Sequence, residues 1–315
     1  MPSFETYFEM EEMPMSCVLV TGASGFVAKA LCEKLLVDGY KVTGSSRSLE
    51  KVPFGVHAVQ TPSLDDQTDW AKPLQGCRYV VHLAARAHML RDNADDSLNE
   101  FRAINTSGTL NLARQAEKMG VERFVFVSSI GVNGAQTFGQ RYQRNDVPAP
   151  HSDYAVSKYE AEQELIELGK TTGMEIVIVR PPLVYGRNAP GNVGTLIKWI
   201  RRGIPFPFGS VKNSRTLVSL ENLADLLATT LWHPNAGGKI FLAGDGQDLS
   251  TAGLLQKIAK FEGEKAKIFV FPVWVLRLCA NLCGKKQLIN SLTGDLQIDI
   301  SDTCDDLDWQ PKPLK

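Results

Sequence analysis

The stretch Val18-Leu-Val-Thr-Gly22-Ala-Ser-Gly25-Phe-Val-Ala28 constrains this chain more than any other. An apolar run of β type ends in a glycine turn, and a helix-forming run from Lys29 to Leu36 follows at once. Strand, phosphate loop and helix are the parts of a dinucleotide-binding unit. The first glycine permits a tight turn and the second lets the backbone approach a pyrophosphate. The third position wants a small residue for close helix–strand packing, which Ala28 supplies. Unpaired N–H groups and the positive end of the helix dipole then favour phosphate charge.

The rest of the chain keeps the same rhythm. Strands are expected at 40–46, 56–60, 79–85, 123–129 and 175–180. Helices are expected at 98–119, ending at Gly120, and at 153–168, with Asp153 as N-cap and Gly169 as stop. The run from Arg123 is so continuous in Phe and Val that both faces of its strand must be covered. Strands alternating with helices of this length predict right-handed crossovers, hence an α/β, Rossmann-type doubly wound parallel sheet. After Pro182 the pattern loosens, which predicts a smaller C-terminal substrate lobe. The expected partition is an extension at 1–15, a dinucleotide-binding domain at 16–182 with returning elements around 213–245, and a lobe formed by 183–212 and 246–315.

Bulk properties narrow the partners. With 34 basic and 35 acidic side chains in 315 residues the net charge is −1, and no basic excess suggests a nucleic-acid surface. Six scattered cysteines without a Cys-x-x-Cys pair read as reduced thiols of a cytoplasmic protein, with no metal set. Residues 1–15 have neither the basic nor the apolar region of a signal peptide. The apolar run 268–283, interrupted by Pro272 and Arg277, is too short to span a bilayer and reads as a buried or surface-packed helix.

The chemistry concentrates in Tyr154-Ala-Val-Ser-Lys158. At i and i+4 near a helix start the two side chains share a face. A lysine ammonium beside a phenol favours the phenolate, which brings tyrosine toward use as an acid/base near neutral pH. Ser129, at the carboxyl end of the preceding strand, can hydrogen-bond the same substrate oxygen.

These motifs, in order along residues 16–311, resemble the extended short-chain dehydrogenases/reductases of the nucleotide-sugar epimerase/dehydratase group. The matching pieces are Gly22-x-x-Gly25-x-x-Ala28, His82-Leu-Ala-Ala85, Asn105-x-x-Gly108-Thr109, Ser128-Ser129, the Tyr154/Lys158 pair and Arg180-Pro-Pro-Leu-Val-Tyr-Gly186. The resemblance implies catalysis by Ser129, Tyr154 and Lys158. It implies a pyrophosphate held by Gly22, Ser24, Gly25, Phe26 and Val27, with Leu83, Ala84, Ala85, Asn105 and Pro181 bordering the cofactor and Lys158 holding its ribose. In the lobe, Asn192, Arg215 and Asp295 match sugar-diphosphate and ribose contacts. Arg86 and His88 read equally as sugar contacts or as ordinary loop residues. A homodimer through helices 98–119 and 153–168 is also implied.

Two departures from the pattern matter. An NAD user carries an acid at the end of the second strand, whereas Ser46-Arg47 stands here; a hydroxyl and a guanidinium suit a 2′-phosphate, so NADP(H) is expected over NAD(H). The residues after Ser129, Ile130-Gly131-Val132-Asn133, lack the acid pair a 4,6-dehydratase needs. The expected reaction is hydride transfer at C4 of a nucleotide-linked hexose, and the resemblance implies a UDP linkage. The sequence leans to reduction of a UDP-4-keto-6-deoxy-N-acetylhexosamine in surface-polysaccharide synthesis. The alternatives are a UDP-glucose/UDP-N-acetylglucosamine 4-epimerase with retained NAD and, more remotely, a non-catalytic NADP-sensing module.

Overall fold

A computed structural model describes residues 16–87 and 97–313. The expected N-terminal extension and His88 lie outside the described residues. The first half runs β1 (Cys17–Thr21), α1 (Phe26–Val37), β2 (Lys41–Ser46), β3 (His57–Gln60), α2 (Ala71–Leu74) and β4 (Cys77–His82). Then come α3 (Ser97–Phe101), a π-helical stretch at Arg102–Gly108, α4 (Thr109–Lys118), β5 (Arg123–Val127), α5 (Asp153–Thr171) and β6 (Glu175–Arg180).

The second half runs β7 (Val184–Tyr185), α6 (Gly191–Arg201), β8 (Arg215–Thr216), β9 (Val218–Ser219), α7 (Leu220–Trp232) and β10 (Ile240–Leu242). It closes with β11 (Asp248–Leu249), α8 (Thr251–Phe261), α9 (Val273–Leu282), α10 (Lys286–Thr293) and α11 (Ser301–Leu307).

Seven strands form one parallel sheet in the order β10-β6-β5-β4-β1-β2-β3. The chain winds outward from β1 to β3, then crosses back to β4 on β1's other side. That reversal opens a crevice at the carboxyl ends of β1 and β4, where ligands bind in such sheets. Alternate strand residues feed two cores. Val18, Val20 and Val125 pack with α1 and α7 on one face, while Leu19, Phe124 and Phe126 pack with α4 and α5 on the other. The lobe has its own core, built from Val193, Ile197, Phe206, Leu217, Leu255 and Ile258 among others.

Several local expectations are corrected. Ser152, not Asp153, caps α5: its Oγ accepts from the Ala155 N–H at 3.3 Å. Gly169 does not stop that helix, which runs on to Thr171; a Cβ at Gly169 would stand 2.8 Å from Ile176 Cγ1, so its bareness serves helix–sheet contact. The expected single helix at 98–119 is broken by the π-helical stretch, whose wider turn brings Gly108 against the Leu64 carbonyl, 2.9 Å from where a Cβ would lie. The C-terminus also returns to the sheet, since Leu307 and Trp309 join the core under α1 and α7.

Candidate active site

The phosphate loop is shaped by contact with β4's exit. Gly22 has φ +68°, a left-handed conformation that favours glycine, and a Cβ there would lie 3.1 Å from Ala84 Cα. The Gly25 N–H donates to the Gly22 carbonyl at 2.7 Å and closes the turn. Helix α1 then begins with no side-chain cap and no acid in its first turn, which leaves its N-terminus suited to an anion. Ala28 is buried in the sheet core as the third small position requires. Phe26 and Val27 offer this site their backbone, because the Phe26 ring packs into the lobe core and Val27 against the sheet core.

Three side chains, two N–H groups and a carbonyl hold the loop's other wall. The Thr21 hydroxyl accepts from the Leu83 and Ala84 N–H groups at 3.1 Å each and meets His82 Nδ1 at 2.8 Å. His82 Nε2 meets Thr109 Oγ1 at 2.9 Å, and Thr109 donates to the Asn105 carbonyl at 2.7 Å. The only consistent assignment runs the donors in one direction, Thr21 to His82 to Thr109 to Asn105, with the imidazole proton on Nε2. That imidazole is neutral, because complete burial holds it well below its ordinary range, with the Lys158 charge acting in the same sense. His82 and Thr109 thus brace the cofactor wall from behind.

A cavity of about 680 Å³ opens over this frame. Gly22, Ser24, Gly25, Ser46, Arg47, Leu83, Ala84 and Ala85 line it, as do Ser63, Asp65, Ile104 and Arg86. Ser46 is buried and its hydroxyl donates to Ser24 Oγ at 2.8 Å; Arg47 is exposed at the rim. Thr61 Oγ1 and Trp70 Nε1 also belong to the lining residues, and both are buried without a hydrogen-bond partner. Unpartnered buried polar atoms in a crevice beside a phosphate loop fit the adenosine half of a dinucleotide. Trp70 and Thr61 escaped sequence reasoning, since neither belongs to a spaced motif.

Asn105 and Arg86 are tied to each other. Asn105 is fully buried, and its amide is engaged with the Arg86 N–H (2.9 Å), the Arg86 carbonyl (3.1 Å) and Ser157 Oγ (3.1 Å). It ties the loop after β4 to α5 and does not line the cavity; Ile104 does. Arg86 lines the cavity and pairs with Glu100 at 2.7 Å.

Beyond that cavity, at the carboxyl ends of β5 and β6, the catalytic candidates gather. Ser129 is half-buried and caps a short 3-10 turn, its Oγ accepting from the Gly131 N–H at 3.0 Å. Pro181 faces the same turn, its carbonyl accepting from the Ile130 N–H at 3.0 Å. Tyr154 sits in the first turn of α5 with its ring edge-on to Phe101, centroids 6.0 Å apart. Lys158 lies one turn deeper, donating to the Val127 carbonyl at 2.9 Å with its ammonium 4.4 Å from the centre of the Phe126 ring.

The electrostatics correct one expectation. Burial pushes the Tyr154 phenol up to about 12 rather than toward neutrality. Burial likewise draws Lys158 down to about 7, opposed by the Glu162 carboxylate. Desolvation governs both groups, and Lys158 directs its ammonium at a backbone carbonyl and an aromatic face.

Glu162, a further turn along α5, was invisible in the sequence as a site residue. It is fully buried and accepts a fork from Arg180, Nε to Oε1 at 2.9 Å and Nη2 to Oε2 at 2.5 Å. Arg180 Nη1 continues to Asn133 Oδ1 at 3.0 Å. This buried pair explains the arginine of the Arg180-Pro-Pro segment: it locks β6, α5 and the turn after Ser129 together beneath Tyr154 and Lys158.

In the lobe, Arg215 and Asp295 come together. Arg215 Nη1 donates to the Gly294 carbonyl at 3.0 Å, and Asp295 Oδ1 accepts from the Ser214 N–H at 2.7 Å. Burial lowers the Arg215 pKa while the Asp295 charge raises it. Asn192 is exposed in the first turn of α6. Among the described residues no group of three or more His, Cys, Asp or Glu could hold a metal, and no helix is long and apolar enough to cross a membrane.

Comparison with known proteins places this arrangement. A UDP-glucose 4-epimerase of Vibrio cholerae is 41% identical over 303 residues, covering 95% of this chain and 92% of its own. A Thermotoga maritima UDP-glucose 4-epimerase solved with UDP-glucose superposes with a TM-score of 0.73 at 20% identity, over 95% of this chain and 94% of that one. A Bacillus cereus UDP-glucuronic acid 4-epimerase solved with NAD gives 0.74 at 21% identity, over the same shares. Residues 18–244 match the family model described as the NAD dependent epimerase/dehydratase family. With its phosphate loop, parallel sheet and strand-end serine facing a Tyr-x-x-x-Lys helix, the chain belongs to that family.

Proposed function

We propose that this chain is a nucleotide-sugar 4-epimerase acting on a UDP-linked hexose. The observation that carries the reading is the convergence of Ser129, Tyr154 and Lys158 at one sheet edge beside a dinucleotide cavity, with Arg215 in the lobe for the diphosphate. The Vibrio cholerae relative, 41% identical over nearly the whole chain, supports the 4-epimerase over the reductase expected from the sequence. Missing acids after Ser129 speak against dehydration.

When bound, the nicotinamide dinucleotide supplies a hydride acceptor and, in reverse, a hydride donor. The chain's own part is proton management and positioning. Tyr154, protonated at neutral pH with its phenol near 12, donates to the sugar oxygen in the reductive direction and takes the proton back in the oxidative one. Ser129 orients that oxygen. A charged Lys158 favours the phenolate and therefore the oxidative direction. Arg215 offers a planar fork to the diphosphate, anchoring the nucleotide while the keto-sugar turns over.

A second reading, the NADPH-dependent 4-ketoreductase, is favoured by one observation: β2 ends on Ser46, Arg47 follows, and neither of these cavity positions is a carboxylate. Denaturing fresh protein and weighing the released dinucleotide separates the two. Retained NAD, with UDP-glucose converted to UDP-galactose or the N-acetyl pair interconverted without added cofactor, supports the epimerase. An empty site that prefers NADPH and consumes it with a UDP-4-keto-sugar overturns it in favour of the reductase. Arg47→Asp should then raise the preference for NADH about tenfold or more, the scale of one lost charge-assisted contact. In either case Tyr154→Phe should lower kcat by about 10²–10⁴ while its dinucleotide binding matches the parent's. Unchanged turnover in that variant would remove Tyr154 from the chemistry.

A further inference from the structure

Helix α9 does not behave like the rest of the lobe. It is ten residues long, Val-Trp-Val-Leu-Arg-Leu-Cys-Ala-Asn-Leu, and none of its residues is buried. Val273, Leu276 and Ala280 lean on the lobe core. The opposite face presents Trp274, Leu278 and Leu282 at 69%, 52% and 80% exposure. These positions recur every four residues and form one stripe. The stripe is extended by Val270, 79% exposed, just before the helix and by Leu288 on α10 beyond it. Solvent-facing Trp and Leu clustered in this way mark a surface that another phase or partner covers.

Charge identifies the occupant. Residues 183–212 hold five basic side chains and no acid, and residues 251–294 hold seven against two. These two stretches carry +10 in a chain whose net charge is −1. One of the two acids, Glu262, is already paired with Arg201. Basic groups flank the apolar stripe at both ends, Lys265 and Lys267 before α9 and Lys285 and Lys286 after it, with Arg277 exposed on the helix itself. A short helix with an exposed Trp/Leu face, bracketed by lysines and unable to span, has the composition of an element lying in a membrane interface. We propose that α9 docks this protein on an anionic phospholipid bilayer, with Trp274, Leu278 and Leu282 entering the headgroup boundary and the flanking lysines meeting lipid phosphates. A second copy of the chain would cover the apolar stripe but would set these like charges against each other, which favours the bilayer as occupant.

Sedimentation of the full chain with vesicles tests this, using phosphatidylglycerol/phosphatidylethanolamine vesicles against pure phosphatidylcholine. Expected is binding to the anionic vesicles at 0.1 M salt that falls at least tenfold at 0.5 M salt. Binding should fall by a similar factor in the double variant Trp274→Glu/Leu278→Glu and be weakened by Lys285→Glu/Lys286→Glu. The thermal midpoint and dinucleotide content should match the parent, since the replaced side chains are exposed. Wild-type tryptophan emission should shift to the blue on adding vesicles, and Trp274→Phe should lose that shift. Binding that ignores both variants, or no binding to anionic vesicles, overturns the proposal. A dimer in light scattering that Leu278→Glu dissociates, without vesicle binding, overturns it in favour of a second copy.

Discussion

Lys158 and Glu162 show how one helix face carries opposite charges into the interior. Tyr154, Lys158 and Glu162 follow at successive turns of α5, so the phenol proposed as acid/base, the ammonium and a carboxylate form a descending series toward the core. Two buried cations flank Glu162, and only Arg180 binds it directly. Removing one member of such a pair leaves an uncompensated charge in the interior. Glu162→Ala is expected to cost about 3–5 kcal/mol in urea unfolding, with Lys158 falling still further in pKa because its nearest anion is gone. A Glu162→Ala protein as stable as the parent would mean that water enters the site and solvates Arg180.

At the scale of elements, close approach rather than propensity decides the geometry. Gly169 lies in the last turns of α5, where alanine would ordinarily help the helix by about 1 kcal/mol. Here a Cβ would stand 2.8 Å from Ile176 Cγ1, a core side chain of β6 with little room to move. Gly169→Ala is therefore expected to destabilise by about 1–3 kcal/mol, the cost of overpacking; a rise in thermal midpoint would contradict the contact. The π-helical stretch answers the same demand. It widens the helix so that Gly108 meets the Leu64 carbonyl and Asn105 reaches both Arg86 and Ser157. One irregular turn thereby joins the loop after β4 to α5 beside the candidate site, a location where such bulges recur.

Over the whole molecule, buried titrating groups set the response to pH. Lys158 titrates near 7 in the fold against 10.5 ordinarily, and His82 well below 6.5. For both, the unfolded chain binds more protons between the two values, so stability rises with pH, for His82 below about 6.5 and for Lys158 from about 7 to 10.5. Burial pushes Cys32 from 9.0 up to about 12 and Tyr154 from 10.0 up to about 12. There the folded chain holds the extra proton, so stability falls above pH 9–10. Urea midpoints measured from pH 5 to 11 should peak near pH 9, and Lys158→Met should flatten the limb between 7 and 9. A peak that stays at pH 6–7 would mean Lys158 remains charged in the fold.

How much of this was legible in the chain follows from what each feature depends on. The parallel sheet, the phosphate loop and the Ser129/Tyr154/Lys158 set are local patterns, an apolar period, a glycine spacing and an i, i+4 pair, and one-dimensional spacing carries them. The buried Arg180–Glu162–Asn133 lock, the His82 brace and the unpartnered Trp70 and Thr61 join residues far apart in sequence, and only the folded chain brings them together. The pKa of Tyr154 shows the same division. The neighbouring lysine can be read from the sequence, but the desolvation that overrides it belongs to the surrounding walls. Composition and spacing settled which groups the chain possesses and where its sheet strands fall along it. Tertiary structure decided which groups lose their water and which face one another, because burial and close approach are properties of packed surfaces and not of spacing.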